Sequence, residues 1–366
     1  MKGISRRQFI RKAALAGTTL AVAPMIFVPK ARAAWERKSI VHPNVNNLRV
    51  VGVTDPKMTR GLQPVSSWSA QERLVVKEVV WEDMDKLACG LVETRNPQDA
   101  WRAVFIKPPR KSWAHTVVAI KTNNISLQHT RSAVISKVCH VFTDLLGVKG
   151  TNIHIYDGIH GGSMAKNTPF AGLPEGVKIQ DKWGGINKTV PVSAPWGDGR
   201  RTTKCLNHLA EGKVDILVNI ALCKGHSETY GGFTMAMKNH MGTFSPMYIH
   251  QDEALEYLLA VNQTPQVLGP MDAKTGRVLY PLQQLCIIDA IWASEGGPGG
   301  YPRTQPNFLA MGVLAPVVDY VMATRFRNER MGWNIQKEAT RRMLTEFGYQ
   351  ESDLPAGGKI IENVSI

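Results

Sequence analysis

The five cysteines of this chain, Cys89, Cys139, Cys205, Cys223 and Cys286, form no C-x-x-C pair. No local motif for an iron–sulfur cluster is therefore present. An odd count leaves at least one free thiol whatever the pairing, and the apolar patterns around several mark them as buried. The chain has neither G-x-G-x-x-G nor a P-loop, no G-x-S-x-G elbow and no H-E-x-x-H. Those absences remove the commonest dinucleotide, nucleotide, serine-hydrolase and zinc-protease signatures. Beyond residue 33 there is no run of clustered Lys or Arg, so no nucleic-acid partner is called for. No later apolar stretch is long enough for a stable membrane span once a leader is removed.

What is present begins at the N-terminus. Ser5-Arg6-Arg7-Gln8-Phe9-Ile10 sets two adjacent arginines ahead of an apolar pair, an uncharged stretch runs from Ala13 to Val28, and Ala31-Arg32-Ala33 has the small-x-small form of a cleavage site. The stretch is 16 residues long with Gly17 and Pro24 inside it, short of the ~20 a span needs. This reads as a twin-arginine signal peptide over 1–33, an address read by a receptor. It predicts a periplasmic or other extracytoplasmic location. The seven basic residues of that segment, with no acid among them, bring the formal +14 down to +7 for the rest.

Residues 34–114 form an N-terminal subregion in which short apolar runs alternate with polar loops. From Thr116 the pattern is clearer. A strand over Thr116–Lys121, a helix over Arg131–Leu146 and a strand over Asn152–Tyr156 make a βαβ unit, which implies a parallel sheet. Residues 158–205 are rich in Gly, Pro, Lys and Trp and read as an excursion or lid. Strands are expected over Val214–Ile220, Gln284–Ile291 and Phe308–Val313. Helices are expected over Phe233–Met241, Asp252–Val261, Val317–Arg327 and Ile335–Phe347. Lys359–Val364 reads as an edge strand. The fold class is α/β, a mostly parallel sheet with flanking helices. Its main domain spans 115–330, and a C-terminal helix and tail occupy 331–366.

Ligands of parallel α/β sheets sit beyond the carboxyl ends of the strands. The first strand delivers Lys121 and Asn123 there, and the second delivers Asp157. The third delivers Asn219, then Lys224 and His226 in its loop. The fourth delivers Asp289, with Glu295 in the glycine-rich loop behind it. Lys238 and Asn239 close the helix after the third strand. Lys121, Asn123, Asn219, Lys224, Lys238 and Asn239 are the candidate contacts to a small anion, with His226 in acid/base work. Asp289 and Glu295 are candidate oxygen ligands for a divalent metal, and Asp319 reads as a structural cap. The Met/His cluster of Met235, Met237, His240, Met241, Met247 and His250 reads as core packing. Cys223 reads as a small residue at a strand end.

Val214-Asp215-Ile216-Leu217-Val218-Asn219-Ile220, then Lys224-Gly225-His226, then Thr234 to Gly242 with its Lys238-Asn239-His240-Met241-Gly242 close, resemble the signature of the domain of unknown function 362 family. Lys121-x-Asn123, Asp289, Glu295-Gly296-Gly297-Pro298 and Asp319 resemble its flanking motifs, over roughly 115–325. Ala221 and Thr122 stand where that family usually has proline. The family has no settled reaction, so the resemblance implies a map of a site rather than a mechanism. Two roles stay open: an envelope enzyme acting on an anionic substrate, and a non-catalytic accessory that binds a cofactor or an exported redox subunit.

Overall fold

The computed structural model describes residues 42–362 apart from 43, 46–47, 62–66, 126, 160–163, 193, 197–200 and 303. The signal segment 1–33 therefore lies outside the described residues. Two strands, β5 (Ile216–Leu222) and β6 (Gln283–Ala290), are buried along their whole length and form the middle of the sheet. To number the elements in chain order, the other strands are β1 (Val51–Thr54), β2 (Val118–Lys121), β3 (Ile153–Tyr156), β4 (Lys178–Gln180) and β7 (Phe308–Gly312). They assemble in the order β1-β7-β6-β5-β2-β3-β4. The pairs from β6 through β5, β2 and β3 to β4 are parallel, whereas β7 runs antiparallel to β6 and to β1.

Both faces of this sheet are covered, which is why its strands read as continuous apolar runs rather than alternations. On β5, Ile216, Val218 and Ile220 point to one core, while Leu217 and Ala221 point to the other. The first core is closed by helices α2 (Lys77–Val92), α3 (Pro97–Val104) and α4 (Ser132–His140), through residues such as Met84, Leu87, Trp101 and Val138. A short helix α1 (Trp68–Leu74) precedes them, capped by the Ser67 hydroxyl on the Ala70 amide. The second core is closed by α5 (Ala254–Val261), α6 (Ala315–Val321) and α7 (Lys337–Thr345), through Leu258, Val318, Val321 and Leu344. No helix among the described residues is long and apolar enough to cross a membrane.

Residues 51–104 are built into the main sheet and its first core, not set beside them. The 158–205 excursion contributes β4 to the sheet edge, and Lys188–Pro191 pairs with Thr202–Cys205. Of the C-terminal edge strand, Ile361 bridges in parallel to Val51, and residues 363–364 lie outside the described residues. All five cysteines are free and buried.

One expected element is absent. Phe233–Met241 is not a helix. Phe233 and Thr234 pair antiparallel with Gly225 and Lys224, because Gly231 and Gly232, both at positive φ, fold the chain back on itself. Only Lys238–His240 make a short helical turn. The Ala236 and Met237 amides ahead of it are taken by the two carboxylate oxygens of Asp319, at 2.7 and 2.8 Å.

Candidate functional site

Where β2 and β3 end side by side, Lys121 and Asp157 form an ion pair at 2.9 Å, each side chain only 1% exposed. Lys121 Nζ also donates to the Thr122 carbonyl, and the second Asp157 oxygen accepts from the Asn124 amide at 2.7 Å. Each carboxylate oxygen thus already accepts a hydrogen bond. Beyond the end of β5, Lys224 Nζ donates to Asn123 Oδ1 at 2.7 Å, and Asn123 Nδ2 donates to Asn239 Oδ1 at 3.1 Å. Asn239 in turn donates to Asn219 Oδ1 at 2.8 Å and to the Ile220 carbonyl. One network of hydrogen bonds joins residues from four separate stretches of chain.

The charges do not balance. Lys121, Lys224 and Lys238 face a single carboxylate, Asp157, and that carboxylate is paired to Lys121. Burial, with Lys238 and Lys121 as like-charged neighbours against the pull of Asp157, pushes Lys224 down to about 7. Burial, then Lys121, brings Lys238 to about 8. Lys121 is also lowered by burial, against the pull of Asp157. Lys238 has no hydrogen-bond or ion-pair acceptor among the described residues. Its Nζ lies over the Tyr230 ring at 5.4 Å from the centroid, and the residue is 9% exposed. Two ammonium groups thus sit below the surface without a counter-charge of their own, which is costly unless an anion supplies it.

His226 stands at the rim, half-buried, its Nδ1 accepting from the Ser227 amide at 2.8 Å and contacting the Tyr230 hydroxyl. Burial, then Lys238 and Lys224, hold it down to about 3, so it is a neutral imidazole at pH 7. Its ring lies 6.4 Å from that of His250.

Asn219 is not at the rim. It sits mid-strand, three residues before β5 ends at Leu222, and it is fully buried. There it supports Asn239 and, through Gln283, the buried His240. Asp289 and Glu295 do not make a cation site. Asp289 is fully buried, its oxygens taken by the Arg131 and Ile291 amides at 2.8 and 3.2 Å, whereas Glu295 is exposed. A cation held by both would have to lie in the core and at the surface at once. No group of three or more His, Cys, Asp or Glu suited to a metal occurs among the described residues. Asp289 instead shares with Glu72 the N-terminal amides of α4, a favourable place for negative charge. Asp319 does the same for the turn at Lys238, as its reading as a cap requires. Burial pushes the Cys223 thiol up, against Arg327 3.8 Å away, so it is not a ready nucleophile.

Two glycine contacts hold these pieces in register. A Cβ on Gly225 would collide with the Glu295 carbonyl, and one on Gly297 with the Gly225 carbonyl. Gly158 and Gly242 meet in the same way, Gly242 against the Asp157 carbonyl.

The residues that carry this site fall inside a family match. The model described as Domain of unknown function (DUF362) covers residues 118–324, more than half of the chain. The chain belongs to this family. In this DUF362 protein the matched span holds β2 to α6, and with them every residue of the lysine cluster. No curated protein and no solved structure matches this chain.

Asp157 sits at a strand end by topology, yet the candidate set omits it. It proves to be the cluster's one carboxylate. Tyr230 and Gln283 carried no signal in the sequence.

Proposed function

We propose that this DUF362 chain is a twin-arginine-exported protein that binds a small anionic ligand, a carboxylate or phosphate, between Lys224 and Lys238. The single observation that carries the reading is the unbalanced charge: Lys238 without an acceptor, and Lys224 held only by the neutral amide oxygen of Asn123. An ammonium has three N–H donors, and Lys224 spends one of them. An anion entering beside the two would supply the missing acceptors and counter-charge.

Ligand binding would also change His226. Lys238 and Lys224 add to burial, the larger cause, in holding its proton affinity down, so an anion that neutralises them raises His226 in part and brings it closer to proton exchange with the ligand.

The test is a thermal-shift series on the protein lacking residues 1–33, with phosphate and small carboxylates against chloride at equal ionic strength. Stabilisation by an anion in the wild type, lost in Lys238→Ala and Lys224→Ala, is the expected result. Equal shifts in both variants and the wild type would remove the site. For export, residues 1–33 fused to a folded reporter should deliver it outside the cytoplasm, and Arg6→Lys with Arg7→Lys should stop it.

A further inference from the structure

Lys224 and Lys121 share one corner of the fold, and only one of them has a carboxylate. Asp157 gives one oxygen to Lys121 and the other to the Asn124 amide, which leaves Lys224 the amine that most readily gives up its proton. Its one hydrogen bond, to a neutral amide oxygen, holds it as an ammonium far less than a carboxylate would. A buried amine beside other cations is the arrangement that makes lysine a nucleophile.

We propose that Lys224 condenses with the carbonyl carbon of the anionic ligand, which is then an oxo acid or a phosphorylated aldehyde or ketone whose charge rests on Lys238. The inference builds on the anion-binding reading of the same site. The Nζ lone pair attacks the carbonyl carbon, the C–O π bond opens onto oxygen, and the proton lost from Nζ passes to that oxygen. The carbinolamine then expels its hydroxyl as water, which carries off the remaining Nζ proton as the nitrogen lone pair forms the C=N bond. Nothing is oxidised or reduced, and no co-reactant is needed. Lys238, the like charge that Lys224 feels most, keeps its proton more readily and serves as the cation that binds. At about 7 for Lys224, roughly a thousandfold more of it is free amine at neutral pH than of an ordinary lysine. Lys224 is itself 1% exposed, against 8% for Asn123, its hydrogen-bond partner, and 9% for Lys238, so a ligand reaches its Nζ only past those two side chains.

The experiment uses glyoxylate with cyanoborohydride on the protein lacking residues 1–33, followed by peptide mass spectrometry. A carboxymethyl adduct should appear on Lys224 well before the exposed Lys337. Its rate should rise through about pH 7 as the amine, set by Lys238, Lys121 and Asp157, deprotonates. Lys224→Arg, which keeps the charge, should abolish the adduct while leaving α/β circular dichroism intact. Lys238→Met should slow adduct formation, and phosphate should compete with it. If phosphate stabilises the wild type yet Lys224 labels no faster than Lys337, the amine is not a nucleophile and the inference falls alone. If phosphate gives no shift and Lys224 no adduct, both the inference and the binding site fall.

Discussion

Lys224 and Asn123, 101 residues apart in the chain, meet in a 2.7 Å hydrogen bond that gives the lysine a neutral partner. Asn123→Asp would exchange that partner for a carboxylate of the same shape, at the loss of the bond that Asn123 Nδ2 donates to Asn239. Lys224 should then return towards an ordinary lysine value, and the affinity for the anion should fall by a factor of ten or more, about 1.4 kcal/mol. Isothermal titration with phosphate at pH 7 reads this directly. Unchanged affinity would mean that Asn123 does not tune the cluster.

The Lys121–Asp157 pair is buried on both sides. Removing one partner strands the other's charge, so Lys121→Met alone or Asp157→Leu alone should cost about 3–5 kcal/mol in urea unfolding. The double variant should recover part of that loss, since two apolar side chains leave no uncompensated charge.

Asp319 and Asp289 cap backbone amides. Asp319→Ala exposes two buried donors, Ala236 and Met237, at a cost of roughly 2–5 kcal/mol. Asp289→Ala should lower stability in the same way without changing the divalent-metal content measured by plasma mass spectrometry. A metal stoichiometry that disappears with Asp289 would reverse the assignment.

His240 is a neutral imidazole in the native core. Burial holds it down to about 4 despite the Gln283 hydrogen bond. Between about pH 6.5 and about 4 the unfolded chain takes up this proton and the native one does not. Its contribution, up to about 3 kcal/mol, is therefore present above that window and lost on acidification through it. Asp319, which burial raises to about 7, acts in the opposite sense and favours the native state as pH falls. Comparing wild type with His240→Gln isolates the histidine: the variant's stability should be flatter between pH 6.5 and 4.

Gly242 accepts no side chain, because its backbone lies against the Asp157 carbonyl at positive φ. Gly242→Ala should destabilise by several kcal/mol, far beyond the usual range for an exposed glycine. A loss under about 1 kcal/mol would show that the two loops can separate cheaply.

Much of this could be read from the chain. The apolar runs at β2, β3, β5, β6 and β7 mark the strands of a mostly parallel sheet, in which only β7 and β1 depart from parallel pairing, and the strand-end rule brings Lys121, Asn123, Lys224, Lys238 and Asn239 to one place. The helix expected over Phe233–Met241 does not form, because the Gly231-Gly232 pair at positive φ folds the chain into a hairpin there. Asp289 looked like chemistry because the amide donors it serves, at the start of α4, are backbone atoms that no residue letter reveals. Residues 51–104 hid their place in the sheet because the partner of β1 is β7, some 250 residues later. Asn219 looked terminal only because Ala221 and Leu222 extend β5 past it.

The seat of Gly225 against the 294–297 loop has a mechanical consequence. With main chain pressed on main chain and Arg327 tying the Ser294 and Glu295 carbonyls from below, neither segment has a side chain that could yield. A displacement of the exposed Glu295 turn should therefore be felt first at Gly225, the residue next to Lys224. A spectroscopic reporter placed on that turn should change its signal when phosphate meets the lysines, and an unchanged signal would show the two segments uncoupled.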